Sequence, residues 1–266
     1  MNELVAYVAG IGVRGPGLAD WPQTEAVMCA LQPYVRSATL LPAPETLPPT
    51  ERRRTGRVVR LAFAVGLEAA RQARTEPAQL PVVFASSGGD GDNCHEICQT
   101  LASANRALSP TRFHNSVHNA PAGYWSIAAG TQVPSTTICA YDASFAAGLL
   151  EALTQIAVHG GATALIAYDH DYPPPLRAAR IIPAAFGLAL VLHASPQPHS
   201  LAQLRVGIDT GPADRVELQE LEALRAAIPA AQGLVLLEAI AKRQTTTVSI
   251  AYLEPQTLRI AVTPCR

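Results

Sequence analysis

One stretch constrains the fold of this 266-residue chain more than any other: Val133 to Cys139, the short junction Ala140-Tyr141-Asp142, and the alanine- and leucine-rich run that follows. The β-branched, apolar first part predicts a strand, and the run from Ala143 to Val158 predicts a helix. Only a sharp turn fits between them. A strand that turns straight into a helix implies an α/β arrangement with helices packed on a sheet. The residue at such a turn sits beside backbone N–H groups at the positive end of the helix dipole, where many enzymes carry a nucleophile. Asp142 occupies the turn, with Cys139 three residues before it and Ser144 two after.

The rest of the chain supplies the layers. Leu4 to Ala9 reads as a buried strand closed by a Gly10-Ile11-Gly12 turn, with no third glycine to make a dinucleotide site. Glu25 to Tyr34 can form a short helix, and the four prolines between Leu41 and Pro49 demand an extended loop. Val58, Leu61, Ala62, Val65 and Ala69 mark one face of a helix reaching Ala73. Leu80 to Ala85 is a second core strand that enters the glycine-rich run Ser86 to Asn93. That run reads as a structural loop, because Asp90 and Asp92 would repel a phosphate unless a metal intervened. The helix after Asp142 is apolar on almost every face and is expected to be buried in the middle of the molecule. Ala162 to Tyr168 and Ala184 to His193 are further strands. In the tail, Val216 to Ala227 predicts an amphipathic helix, Gly233 to Lys242 a second helix or a strand, and Thr247–Tyr252 with Leu258–Val262 a hairpin.

Charge and cysteine content narrow the function. Twenty basic and 21 acidic residues nearly cancel, which leaves no strong field to recruit nucleic acid or an anionic membrane, and no apolar run approaches the roughly 20 residues of a membrane span. The first residues lack the basic region and cleavage site of a signal peptide, and five cysteines form no disulfide framework. A cytoplasmic protein is expected. Cys94-His95-x-x-Cys98, with His114 and His118 nearby, matches no common zinc spacing, so the two cysteines read as core residues of a helix. Asp169-His170-Asp171-Tyr172 before three prolines reads as a strand end whose side chains point in different directions. Neither a metal nor a cofactor is expected.

Asn115-Ser116-Val117-x-Asn119-x-x-Ala122-Gly123, then Ser126-Ile127, then Pro134-Ser135-Thr136-Thr137-Ile138, resembles the run leading to the active-site cysteine of β-ketoacyl synthases. The resemblance covers about the first 195 residues and implies a thiolase-like layered fold. It corresponds to one ketosynthase half over 1–195, with a mixed five-stranded sheet and helices on both faces, and a short helix-and-hairpin tail over 196–266 packed on the same core. In that family the run ends in a Thr-Ala-Cys-Ala-Ser type sequence. Here it reads Ala140-Tyr141-Asp142-Ala143-Ser144, so without gaps Asp142 stands where the cysteine belongs. The second-half motif of His-Gly-Thr-Gly-Thr type is absent as well. A carboxylate is a poor acyl acceptor from a thioester but a good helix N-cap, so Asp142 is expected to hold the turn in shape.

The resemblance is specifically to the chain-length-factor type of subunit in aryl polyene and type II polyketide synthases. It implies an inactive ketosynthase-like chain that forms a heterodimer with an active β-ketoacyl-ACP synthase and shapes the acyl tunnel. By the same resemblance, the strand before the turn and the segment preceding it form the partner interface and tunnel, through Asn115, Asn119, Tyr124, Trp125, Val133, Thr137 and Cys139. Arg52, Arg53, Arg54 and Arg57 offer an electrostatic surface to an acidic acyl carrier protein. The alternative is a thiolase-fold acyltransferase or hydrolase using Ser144 or Cys139 with a histidine such as His114, His118 or His170 as base. A self-dimer when alone is a third arrangement.

Overall fold

The computed structural model describes residues 3–265. The chain begins β1 (Leu4–Arg14), α1 (Trp21–Met28), α2 (Pro49–Arg52), α3 (Arg57–Gln72), β2 (Val82–Ala85), α4 (Gly91–Ala102), α5 (Pro110–His114), α6 (Ala120–Ala129) and β3 (Ser135–Ile138). It continues α7 (Ser144–His159), β4 (Ala162–Asp169), α8 (Leu176–Ala179), β5 (Phe186–His193), β6 (Ala202–Asp209), α9 (Gln219–Ala227), α10 (Leu234–Ala241), β7 (Thr246–Ala251) and β8 (Thr257–Pro264). The strands join one sheet in the order β3-β2-β4-β5-β1-β6-β8-β7. β3, β2 and β4 are parallel, and every other pairing is antiparallel.

The first 195 residues contribute the five neighbours β3-β2-β4-β5-β1, and the tail lengthens the same sheet to eight strands. The expected helix-and-hairpin tail therefore lacks one member, β6, which pairs directly with β1. Its signal is present in the sequence: Ala202, Leu204 and Val206 are buried and alternate with Gln203, Arg205 and Gly207.

Two helical layers cover the sheet. On one face, α3 and α6 bury Phe63 and Trp125 against Phe84 and Ile166. On the other lie α1, α7, α9, α10 and the 3₁₀ turn Pro229–Gly233. The Gly10-Ile11-Gly12 turn expected from sequence is corrected: β1 runs through both glycines to Arg14. They are needed because α3 lies directly on the strand, where a Cβ at Gly10 would overlap the carbonyl oxygen of Ala69 and one at Gly12 that of Val65. The expected helix over 25–34 begins earlier, where Asp20 caps α1 by accepting from Gln23 N–H, and ends at Met28.

The fully buried position expected for α7 is also corrected. Phe145, Ala146, Leu149, Leu153 and Ile156 are buried, but Thr154, Ala157 and Val158 face outward, because among the described residues there is one sheet and no second sheet beyond the helix.

Candidate functional site

The parallel strands β2, β3 and β4 end on one side of the sheet, where open α/β sheets bind ligands. β3 stops at Ile138, and the chain passes through a 3₁₀ turn, Tyr141–Ala143, into α7. Tyr141 has φ +52°, a left-handed conformation that is costly for a bulky residue and concentrates at functional turns. The strained apex is therefore Tyr141, one residue before the position an ungapped match assigns to the missing cysteine.

Ser144 closes the turn. Its hydroxyl donates to the Tyr141 carbonyl at 2.7 Å and accepts from Ala140 N–H at 3.0 Å. With 1% of its surface exposed, its proton and one of its two lone pairs are engaged by the backbone. Asp142 is not the N-cap expected of it: Ala143 holds that position and no side chain caps α7. The Asp142 carboxylate instead points outward and accepts from Arg180 Nη2 at 2.6 Å. Arg180 lies across the elbow with its guanidinium 3.7 Å from the Tyr141 ring centroid, a cation–π contact. Cys139 lies past the end of β3 and is exposed, which corrects the expectation that the strand runs through it. Its thiol donates to the Ser87 carbonyl at 3.2 Å. Among the described residues, no imidazole is hydrogen-bonded to Cys139, Asp142 or Ser144. His118 approaches only the carbonyl of Ile138, at 3.5 Å.

Beneath the elbow, Asp169 at the end of β4 is a buried carboxylate satisfied by four donors. Ser87 N–H (2.9 Å), Ser87 hydroxyl (2.7 Å) and Ser86 hydroxyl (3.5 Å) reach one oxygen, and Ala230 N–H (2.8 Å) the other. Burial pushes its pKa up, against the hydrogen bonds from Ser87 and Ala230. Asp169 thus ties β2, β4 and the tail together.

Its neighbours form a second network: β4 ends at Asp169, and His170 and Asp171 turn to partners other than those of Asp169. The possible ligand atoms of Asp90, Asp92 and His170 lie within 4.8 Å of one another, yet the chemistry argues against a metal. His170 Nε2 accepts from Gly91 N–H at 3.1 Å, and a neutral imidazole has one lone pair to give. Asp90 caps α4 by accepting from Asn93 N–H. The local cation is Arg57, paired with Asp171 at 2.5 Å and Asp92 at 3.3 Å. Burial raises the Asp171 pKa, but the hydrogen bond and charge of Arg57 outweigh it and leave a net lowering. Cys94 and Cys98 are exposed on α4 rather than in the core, and among the described residues they converge with no third ligand.

The residues expected at a partner surface divide. Tyr124 and Trp125 are buried core residues and are withdrawn from it: Trp125 packs edge-on against Phe63 and Phe84, and Tyr124 donates to Asn115 Oδ1 at 3.0 Å. Asn115 is buried as well, and its amide donates to the Arg54 carbonyl. Asn119 and Cys139 are exposed, and Val133 and Thr137 half-buried.

Of the four arginines, Arg57 is engaged in its network, Arg52 donates to the carbonyls of Glu45 and Leu47, and Arg54 pairs with Glu51. Arg53 is exposed on the rim of a cleft of about 490 Å³ that also holds Arg60, Arg112, Asp90 and Glu96. Sequence reading missed Tyr141 and Arg180, whose partnership spans 39 positions and has no local signature.

A sheet of this order, with a strand–turn–helix elbow at the carboxyl ends of its parallel strands, defines the thiolase-like ketosynthase fold. Residues 21–252 match the family described as β-ketoacyl synthase, N-terminal domain, and the chain belongs to that family. No curated protein sequence matches it. Three solved structures share the fold over nearly the whole of both chains. The ketosynthase ApeO in complex with its chain length factor ApeC from Xenorhabdus doucetiae aligns with a TM-score of 0.75 at 22% identity, covering 97% of this chain and 99% of that one. AntDE:AntF, a type II polyketide acyl-carrier protein in complex with its hexaketide-bound ketosynthase, aligns at 0.74 and 11%, covering 100% of each. The ishigamide ketosynthase/chain length factor aligns at 0.72 and 14%, covering 98% and 100%.

Proposed function

We propose that this chain is a catalytically silent ketosynthase-like subunit, a chain-length factor, that pairs with an active β-ketoacyl-ACP synthase and bounds its acyl tunnel in polyene or polyketide synthesis. The observation that carries the reading is the elbow. Its strained position is a tyrosine, its serine is buried and engaged on both sides, and the nearby thiol is turned toward Ser87 without an imidazole to activate it. A condensing enzyme needs an activated thiolate there.

The pairing surface follows from the edge strand. Val82 N–H bonds the Pro134 carbonyl and Ser86 N–H that of Ile138, so the alternate residues Ser135 and Thr137 turn their backbone groups away from β2. An open edge of this kind invites another strand. The helices that flank this strand, α6 and α7, expose Ile127 and Val158, and the elbow after it exposes Tyr141, large apolar side chains that favour a protein partner. Asn119, Gly123 and Ile127 share the outer stripe of α6. Two of the similar structures are ketosynthase/chain length factor complexes, which supports a ketosynthase as the partner and β3 pairing as the contact. Docking of a carrier protein is assigned to the cleft rim at Arg53, and the cytoplasm to the complex.

The test is co-expression with a ketosynthase encoded beside this chain. A stable heterodimer is expected for the wild type, and its loss for Thr137→Pro, which removes an outward N–H while leaving the β2 ladder intact. A Thr137→Pro chain that pairs as well as wild type would contradict β3 pairing, and no heterodimer with any neighbouring ketosynthase would contradict the function.

A further inference from the structure

The two ends of the eight-stranded sheet are finished differently. At the β3 end the outward backbone groups of Ser135 and Thr137 have no partner among the described residues. At the β7 end the outward residues are Thr247, Ser249 and Ala251, and the middle one is covered. Ser249 C=O accepts from Asp214 N–H at 2.8 Å, and Ser249 N–H donates to Asp214 Oδ2 at 2.8 Å.

Asp214 is held there by its own connection. Val216, two residues on, is buried in the core, and its N–H donates to Glu222 Oε2 at 3.0 Å. Glu217 N–H donates to the Glu238 carboxylate, and Lys242 Nζ bridges Glu217 (2.5 Å) and Glu238 (3.4 Å).

We propose that Asp214 is an edge lock that stops β7 from pairing with β3 of a second copy of this chain. A sheet with two open ends can join end to end, β3 on β7, in a heterologous contact that makes rings where its rotation closes and fibres where it does not. Covering Ser249 removes one of the two ends and leaves β3, which closes when it meets a like edge across a twofold axis. The inference rests on the two sheet ends and not on the identity of the β3 partner, so it stands or falls apart from the proposed function.

The test uses the full chain without a partner. Asp214→Ala removes the side-chain acceptor, and Asp214→Asn keeps an oxygen in place. In dilute solution the Ser249 amide is expected to exchange with deuterium about tenfold faster in Asp214→Ala, the equivalent of one net hydrogen bond, and at the wild-type rate in Asp214→Asn. In analytical ultracentrifugation Asp214→Ala is expected to form species larger than the wild type that grow with concentration. Adding Ser249→Pro, which deletes the outward donor of β7, is expected to restore the wild-type distribution. Unchanged Ser249 exchange in Asp214→Ala overturns the lock. So does an Asp214→Ala chain with native circular dichroism and wild-type mass at every concentration, and so do large species that Ser249→Pro leaves in place, since those reflect instability rather than edge pairing.

Discussion

Ser144 uses both sides of one hydroxyl to hold the elbow, accepting from Ala140 N–H and donating to Tyr141 C=O. Ser144→Ala leaves the Ala140 N–H without its acceptor and takes one of two donors from the Tyr141 carbonyl, which keeps the Ser144 backbone N–H. It is expected to lower the unfolding free energy by about 1–3 kcal/mol in urea titration while leaving acyl transfer at background. Asp169 carries a larger burden, because its loss orphans donors on Ser87, just past β2, and on Ala230 in the tail. Asp169→Ala is expected to cost more than about 3 kcal/mol, as for other uncompensated buried polar networks, and Asp169→Asn less. At the Arg57–Asp171 pair the sign with pH is defined. The folded carboxyl titrates below its unfolded value, so the pair's contribution is complete above the ordinary aspartate pKa of about 3.9 and is lost as pH falls through the lowered folded value. The stability difference between wild type and Asp171→Asn is expected to shrink accordingly below about pH 4. What is legible at this scale is residue type, not partnership. The sequence puts an acid next to the turn, but which residue is strained, and that Arg180 reaches across to it, depends on a loop folding back over the elbow.

Helices and strands are more legible, because their signal is local and periodic. α3 lies where Val58, Leu61, Ala62, Val65 and Ala69 predict it, and the strand before the elbow, the elbow itself and α7 follow in the expected order. Errors arise where a third element intrudes. Gly10 and Gly12 look like a turn but lie in mid-strand under α3, and the apolar outer face of α7 suggests a deeper burial than a single sheet provides. Two glycine substitutions separate these contexts. Gly12→Ala forces α3 away from β1 and is expected to destabilise by at least about 1–3 kcal/mol. Gly123→Ala, in the interior of α6 with nothing within 4 Å, is expected to stabilise the isolated chain by about 0.5–1 kcal/mol. A bulky Gly123→Trp on the same outer stripe is expected to fold and to weaken the heterodimer, as read by co-purification yield.

At the scale of the molecule, one extended sheet carries a blocked edge, an open edge and, at the carboxyl ends of its parallel strands, a strand–turn–helix elbow. The family was legible from the run Asn115 to Ile138, but the way the tail builds on the sheet was not, because β6, β8 and β7 depend on pairing between residues up to about 200 positions apart. If the chain shapes a reaction that its partner performs, acyl groups should load onto one subunit only. The most direct measurement is the intact mass of each subunit in the co-purified heterodimer after exposure to an acyl thioester. An added acyl mass on the ketosynthase and an unmodified mass for this chain is the predicted result. An acyl adduct on this chain, mapped to Cys139 or Ser144 and abolished by Cys139→Ala or Ser144→Ala, would contradict the account.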